Sequence, residues 1–176
     1  MKQIKHRTEL VQLLPVNPAC AEIGVAEGYF SAEMLSWGGS VIMVDMWETN
    51  KLYPGDAGSD QNWHNKNYQD AKNRVAKYGD KATILRGPSI AMAQHVADGS
   101  LDLLYLDACH SYQCVLADLQ EWFPKVKSGG IIAGHDYLNG AYGVFQAVQE
   151  FTRGRFTVIT IPENKDEDAG FYFVKA

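Results

Sequence analysis

Two short segments of the chain end in side chains able to move a proton or grip a cation. The apolar run at residues 101–106 closes on Asp107, followed by Ala108, Cys109 and His110; the run at residues 129–134 closes on His135 and Asp136. Neighbouring parallel strands lie about 5 Å apart, so if these two runs pair, the four groups converge on one small volume. His110 and His135 are candidate general bases, because imidazole titrates near neutral pH. Asp107, His135 and Asp136 together could hold a divalent cation such as Mg²⁺, which binds through one or two carboxylates and keeps several waters. A cation there would orient a substrate hydroxyl and acidify it. A plainer reading stands beside this one, with Asp107 serving a cofactor alone and His135-Asp136 opening a loop. His64 is a weaker third base; His6 and His95 are peripheral.

A second constellation lies upstream, in residues 21–45. Glu22-Ile23-Gly24 ends an apolar segment, Gly28 follows, then a helical pattern, then a second apolar segment that stops at Asp45. A strand, a glycine turn, a helix and a strand with a carboxylate at its tip can hold a nucleoside-containing cofactor. The turn lets backbone approach the ligand, and the acid accepts hydrogen bonds from ribose hydroxyls. Asp45 lies about 20 residues beyond the turn, the spacing of such an acid. The glycines are spaced Gly-x-x-x-Gly, not Gly-x-Gly-x-x-Gly, which turns the reading away from NAD. Glu22 sits inside a strand, where an unpaired carboxylate is costly, and so is read as ordering the turn or meeting the cofactor's charged end. Ser89, opening a helix, either caps it or reaches an adenine.

These residues need a scaffold, and the apolar pattern supplies one. Strands are expected at residues 20–25, 40–45, 82–85, 101–107, 130–135, 156–161 and 170–174, and helices at 29–37, 63–78, 89–96, 111–123 and 144–151. Strands alternating with helices predict a parallel sheet covered on both faces, and the last two strands, with no helix between them, an antiparallel edge hairpin. An opening helix over residues 2–14 would be ended by Pro15 and Pro18. The polar stretch 47–67 carries turn signals and two tryptophans, and its place after Asp45 suits a lid over a ligand. Trp47, Trp63 and Tyr137 are candidate pocket walls, with ordinary packing as their other role.

The 176 residues fit a single domain spanning residues 1–176, and 46% hydrophobic with 21% charged residues is an ordinary globular balance. A net charge of -5 without a Lys/Arg block argues against nucleic acid as a partner. No apolar run is long enough for a bilayer, and the N-terminus does not read as a signal peptide. Cys20, Cys109 and Cys114 have no Cys-x-x-Cys spacing and read as reduced, buried thiols of a cytoplasmic protein.

Taken in order, these stretches resemble a known family. Glu22-Ile23-Gly24-Val25-Ala26-Glu27-Gly28 resembles the first motif of class I S-adenosylmethionine-dependent methyltransferases, and the segment ending Val44-Asp45-Met46-Trp47 resembles the second. Residues 101–137 are similar to small-molecule O-methyltransferases related to macrocin O-methyltransferase and, more distantly, catechol O-methyltransferase. Asp107-Ala108-Cys109-His110-Ser111-Tyr112, Gly129-Gly130 and His135-Asp136-Tyr137 carry that likeness. It implies an α/β, Rossmann-like fold with a seven-stranded, mostly parallel sheet, helices on both faces and an antiparallel C-terminal edge hairpin. It implies S-adenosylmethionine as cofactor and methyl transfer to a hydroxyl of a small-molecule acceptor, a sugar or a phenol, with Mg²⁺ assistance an open question.

Carried over by position, the resemblance puts Glu22, Gly24, Glu27 and Gly28 at the methionine end of the cofactor, Asp45 at its ribose, and Met46 and Ser89 at its adenine. Asp107 touches cofactor and metal, and His135 and Asp136 complete the metal set. His110 or His135 takes the acceptor's proton while Asp107 fixes the acceptor. Two departures stand out: Pro88 replaces an acidic residue common in relatives, and His135 stands where catechol-type enzymes carry a carboxylate. The rival classes are an NAD-dependent oxidoreductase and a non-catalytic nucleotide-fold binding module. The missing Gly-x-Gly-x-x-Gly argues against the first, and the acids and histidines at several strand ends argue against the second. Acceptor identity and oligomeric state are not legible in the sequence.

Overall fold

The computed structural model describes residues 2–50, 60–162 and 169–176. Its strands are β1 (Ala19–Ile23), β2 (Ser40–Asp45), β3 (Ala82–Arg86), β4 (Leu101–Leu106), β5 (Val126–Gly134), β6 (Ile159–Ile161) and β7 (Gly170–Val174). They form one seven-stranded sheet in the order β3-β2-β1-β4-β5-β7-β6. β1 to β5 run parallel, and β7 is antiparallel to both β5 and β6. The helices are α1 (Tyr29–Ser36), α2 (Gln61–Val75), α3 (Ser89–Ala93), α4 (Tyr112–Trp122) and α5 (Val144–Thr152). The expected α/β architecture and its edge hairpin are present. β2 and β7 coincide with their apolar patterns, and β5 starts earlier, at Val126.

Because successive strand residues face opposite sides, the sheet carries two cores. Ala21, Ile23, Leu104, Leu106 and Ile132 pack with Val115, Leu119 and Trp122 of α4 and Val144 and Val148 of α5. Cys20, Val41, Met43, Leu103 and Tyr105 pack with Phe30 and Met34 of α1, Ala71 and Val75 of α2, and Ile4 and Leu10 of the N-terminal segment. β4 is central and nearly all apolar, as a strand buried on both faces must be.

The opening helix is a correction. Only Arg7–Leu13 is helical, and as a 3-10 helix, with the His6 ring accepting from the Thr8 N–H at its start. Leu10 and Leu13 are three apart and so lie on one side of a helix with three residues per turn, against the core. The expected lid at 47–67 also changes: residues 61–67 belong to α2, capped by the Asp60 carboxylate, and 51–59 lie outside the described residues. Among the described residues no helix is long and apolar enough to cross a membrane. The three cysteines are free thiols; Cys20 is buried like a small hydrophobe, whereas Cys109 and Cys114 are only half-buried.

Two positions, one in β1 and one just past its end, tie the fold to the site. Gly24 has φ +91, and a Cβ there would lie 2.1 Å from the Asp107 carbonyl oxygen, so only glycine lets β1 turn beside the end of β4. Glu22 is buried and its carboxylate accepts from the Ser31 hydroxyl of α1. Burial pushes its pKa from an ordinary 4.5 up to about 8, a rise that the Ser31 bond only partly offsets.

Gly24→Ala is expected to cost roughly 2–4 kcal/mol in denaturant unfolding, since overpacking and a positive φ act together. Gly99→Ala, with open space around the new methyl, should cost only about 1 kcal/mol. Glu22 keeps its proton in the folded chain up to about pH 8 but loses it near 4.5 when unfolded. Its contribution to stability therefore falls as pH rises between those values and is level outside them. Glu22→Gln should flatten that part of the melting-temperature profile, and an unchanged slope would contradict the assignment.

Candidate active site

The glycine turn leaves β1 between β2 and β4. The Gly24 N–H donates to the Val44 carbonyl (2.9 Å) and the Asp107 N–H to the Ile23 carbonyl (2.7 Å). Gly28, with φ +76, starts α1, and Ala71 of α2 packs 3.2 Å from where its Cβ would be. Asp45 governs the turn's shape. Its Oδ2 accepts from the N–H groups of Val25 and Ala26, both at 2.9 Å, and its Oδ1 from the N–H of Trp47 at 2.8 Å. Ala26 and Trp47 both have left-handed backbone, φ +47 and +43. A carboxylate offers about four acceptor positions, so the three backbone bonds from described residues leave one on Oδ1. Asp45 is thus a clasp for the turn, a role its spacing alone did not reveal.

Trp47 reinforces the clasp. Its indole N–H donates to the Ala26 carbonyl (2.8 Å), its ring packs against Tyr68, and the Arg86 guanidinium donates to its carbonyl (2.8 Å). Trp47 and Tyr137 are 1% and 3% exposed, so both belong to the core instead of lining an open pocket. Tyr137 packs on Phe145 and Phe171 and its hydroxyl accepts from Gln149. Trp63 is half-buried on α2, against the ring of His64. Met46 and Glu27 are half-buried at the two sides of the turn, and the Glu27 carbonyl accepts from Arg74 (3.0 Å).

Ser89 does not cap α3; the cap position is Pro88. Its hydroxyl donates to Asp118 (2.5 Å) and accepts from the Trp122 indole (2.8 Å), locking α3 to α4. Burial lifts Asp118 to about 6, and the Ser89 bond opposes that rise. Asp118 went unnoticed in the sequence, although an acid among Val115, Leu119 and Trp122 on the apolar stripe of α4 signals a buried partner.

β4 and β5 are neighbours, and the His135 N–H donates to the Leu106 carbonyl (3.2 Å). Asp107, His110, His135 and Asp136 therefore do meet. His110 Nε2 lies 3.1 Å from Asp136 Oδ2 and 3.6 Å from Asp107 Oδ1, and His135 Nδ1 lies 3.3 Å from the same Asp136 oxygen. The Tyr142 ring covers His110 at 4.6 Å, and the Gly143 N–H holds the His110 carbonyl (2.9 Å). Asp136 itself has φ +55. Burial disfavours the charged form of both histidines, but the carboxylates of Asp107 and Asp136 outweigh it and hold both pKa values above the ordinary 6.5.

The ligand atoms of Asp107, His110 and Asp136 lie within 4.8 Å of one another, close enough to share a cation. His135, expected in that set, stands beside Asp136 but outside this trio. His110 Nε2 faces Asp107 and Asp136, whereas His135 Nε2 is buried without a hydrogen-bond partner among the described residues. Buried polar atoms are normally satisfied, so the His135 nitrogen is a place that a ligand group could fill. Asp45, Asp107 and Asp136 place three carboxylates around the carboxyl ends of β2, β4 and β5, while Glu22, with its pKa raised by burial, keeps its proton beneath the turn.

Comparison with known proteins bears on the family and the fold. Residues 21–137, more than half of the chain, match the family model described as a methyltransferase domain. The uncharacterized protein y4gI of Sinorhizobium fredii is 32% identical over 65 residues, which make up 36% of this chain and 7% of that protein; the chain thus spans a small fraction of the curated relative it matches. Calicheamicin methyltransferase CalS11 superposes with TM-score 0.69 at 14% identity, over 95% of this chain and 76% of that one. A Clostridium thermocellum protein provisionally designated an rRNA methylase gives TM-score 0.68 at 14% identity, over 95% and 93%. A Staphylococcus aureus protein provisionally designated a caffeoyl-CoA O-methyltransferase gives 0.66 at 17%, over 96% and 80%. At these identities the neighbours speak for the fold, and the matched family sets aside the dehydrogenase alternative. The glycine turn clasped by Asp45, the 3-2-1-4-5-7-6 sheet and the family match lead to one conclusion: the chain belongs to the methyltransferase-domain family, within the class I S-adenosylmethionine-dependent methyltransferases.

Proposed function

We propose that the chain transfers a methyl group from S-adenosylmethionine to a hydroxyl oxygen of a small molecule. The observation that carries this reading is the meeting of Asp107, His110, His135 and Asp136 at the carboxyl ends of β4 and β5, beside the glycine turn. In an open parallel sheet that edge is where ligands bind. A small acceptor is favoured over a nucleic acid because the site is ringed by carboxylates and the chain carries a net charge of -5. The neighbours fit either, since their designations include both O- and rRNA methylation.

In this reading the turn formed by Gly24, Glu27 and Gly28 takes the methionine end of the donor, with Glu22 beneath it. The remaining acceptor position on Asp45 meets a ribose hydroxyl, and Met46 lies along the adenine. Ser89 contributes by fixing the start of α3, its hydroxyl being engaged with Asp118 and Trp122. An acceptor oxygen attacks the methyl carbon in line with the sulfonium, the carbon–sulfur bond breaks, and sulfur keeps the electron pair as S-adenosylhomocysteine leaves. The protein aligns the three atoms and removes the hydroxyl proton.

His135 is the better placed base. An Nδ1–H given to Asp136 leaves Nε2 as the proton acceptor, and that nitrogen has no partner among the described residues. Asp107 orients the acceptor. Asp107, His110 and Asp136 are the residues that would hold a divalent cation; two carboxylates suit Mg²⁺, and the imidazole broadens the set toward Mn²⁺ or Fe²⁺. Such an ion would supply a Lewis acid that lowers the acceptor's pKa.

A hydroxylated-metabolite screen with S-adenosylmethionine, read as S-adenosylhomocysteine release, should find an acceptor. On that acceptor His135→Gln is expected to lower kcat by about 10²–10⁴-fold while calorimetry shows donor affinity within about twofold of wild type, a difference under 0.5 kcal/mol. Full activity in His135→Gln would remove it as the base. Turnover unaffected by EDTA, with no divalent ion released, would remove the cation.

A further inference from the structure

We infer that Arg7 receives the α-carboxylate of the donor's methionine end. This rests on S-adenosylmethionine being the donor, as proposed above. That molecule presents a sulfonium, an ammonium and a carboxylate close together. The carboxylates of Asp45 and Asp107 suit the first two and repel the third. A desolvated carboxylate without a counter-charge is costly, so the site needs a cation near Asp107.

Arg7 is in that place. Its Nη1 lies 3.8 Å from Asp107 Oδ2, and its guanidinium stands 5.1 Å from the centre of the Phe30 ring at the start of α1. Its positive charge also bears on Glu22 and His135, lowering the pKa of each against the larger effects on them, so it stands among the site's titratable groups. The segment that carries it is fixed on both sides: Ile4 and Leu10 are fully buried, and the Lys2 carbonyl accepts from the Tyr172 hydroxyl. Arg7 is thus delivered to the carboxyl ends of β1 and β4 by a packed element.

Two further guanidinium groups near the turn hold backbone. Arg86 donates to the carbonyls of Met46 (3.3 Å) and Trp47 (2.8 Å) and lies over Tyr68. Arg74 donates to the Glu27 carbonyl (3.0 Å) and lies 3.4 Å from the Tyr29 ring centre, on the outer side of the turn. The Arg7–Asp107 contact is longer than a hydrogen bond, and a guanidinium fork can pair two oxygens of a carboxylate in its plane while keeping a second acid at its edge. The N-terminal segment therefore contributes to donor recognition as well as to packing.

The test is calorimetric binding of S-adenosylmethionine and of its decarboxylated analogue, which keeps the sulfonium and the amine. Wild-type protein should bind the parent about tenfold or more tightly than the analogue, a difference of 1.4 kcal/mol or above. Arg7→Ala should erase that preference by weakening the parent alone, and Arg7→Lys should restore part of it. Equal weakening of both ligands, no weakening, or a carboxylate-selective loss in Arg74→Ala instead would overturn the proposal. If Arg7→Ala does not fold, the parent-to-analogue ratio in Arg7→Lys decides, and an unchanged ratio overturns it. Wild-type protein that binds neither sulfonium compound would defeat the donor reading itself, a result distinct from a failure of Arg7.

Discussion

The carboxylate of Asp45 accepts three backbone N–H groups, two from the glycine turn and one from Trp47, and the site depends on that clasp. Ala26 and Trp47 sit in left-handed backbone, which costs an L-residue about 1–2 kcal/mol each. Hydrogen bonds to a charged acceptor contribute about 1.5–3 kcal/mol each, so three of them outweigh two strained residues. The strain is held from the tip of β2, a rigid element, and the indole of Trp47 closes the same loop on the Ala26 carbonyl. The turn is therefore preorganised by contacts within the chain itself.

Beyond the clasp, the site is arranged by charge and by strand order. Asp107 and Asp136 meet because β4 and β5 pair, and Gly24 lets β1 pass close to the Asp107 carbonyl. One oxygen of Asp136 faces the imidazoles of both His110 and His135. The two histidines that share this carboxylate differ in their surroundings: His110 Nε2 faces both acids, and His135 Nε2 has no partner among the described residues. Tyr142 and the Gly143 N–H hold the His110 side of this arrangement.

Much of this was legible in the sequence because the signals were local. Continuous apolar runs marked the parallel strands, Gly24 and Gly28 marked the turn, and the acids and histidines stood just past the strand ends. Less legible were features that depend on contacts between distant segments. The spacing of Asp45 suggests a ribose acid, yet one of its carboxylate oxygens serves backbone some 20 residues away. Ser89 was read as a cap or an adenine contact, but Asp118 and Trp122 claim its hydroxyl across a 29- and a 33-residue separation. The opening segment has the composition of an α-helix, but its packing selects a 3-10 turn, and nothing in its residues announces that Arg7 ends beside Asp107.

The central claim is that the methyl donor lies across the carboxyl ends of β1, β2 and β4, against the turn that Asp45 clasps. A crystal structure of the chain with S-adenosylhomocysteine tests this most directly. The account predicts the homocysteine portion against Gly24–Gly28, a ribose hydroxyl on the Oδ1 atom of Asp45, and the sulfur facing Asp107 and His135. A nucleoside bound elsewhere, or one whose ribose makes no contact with Asp45, would contradict it.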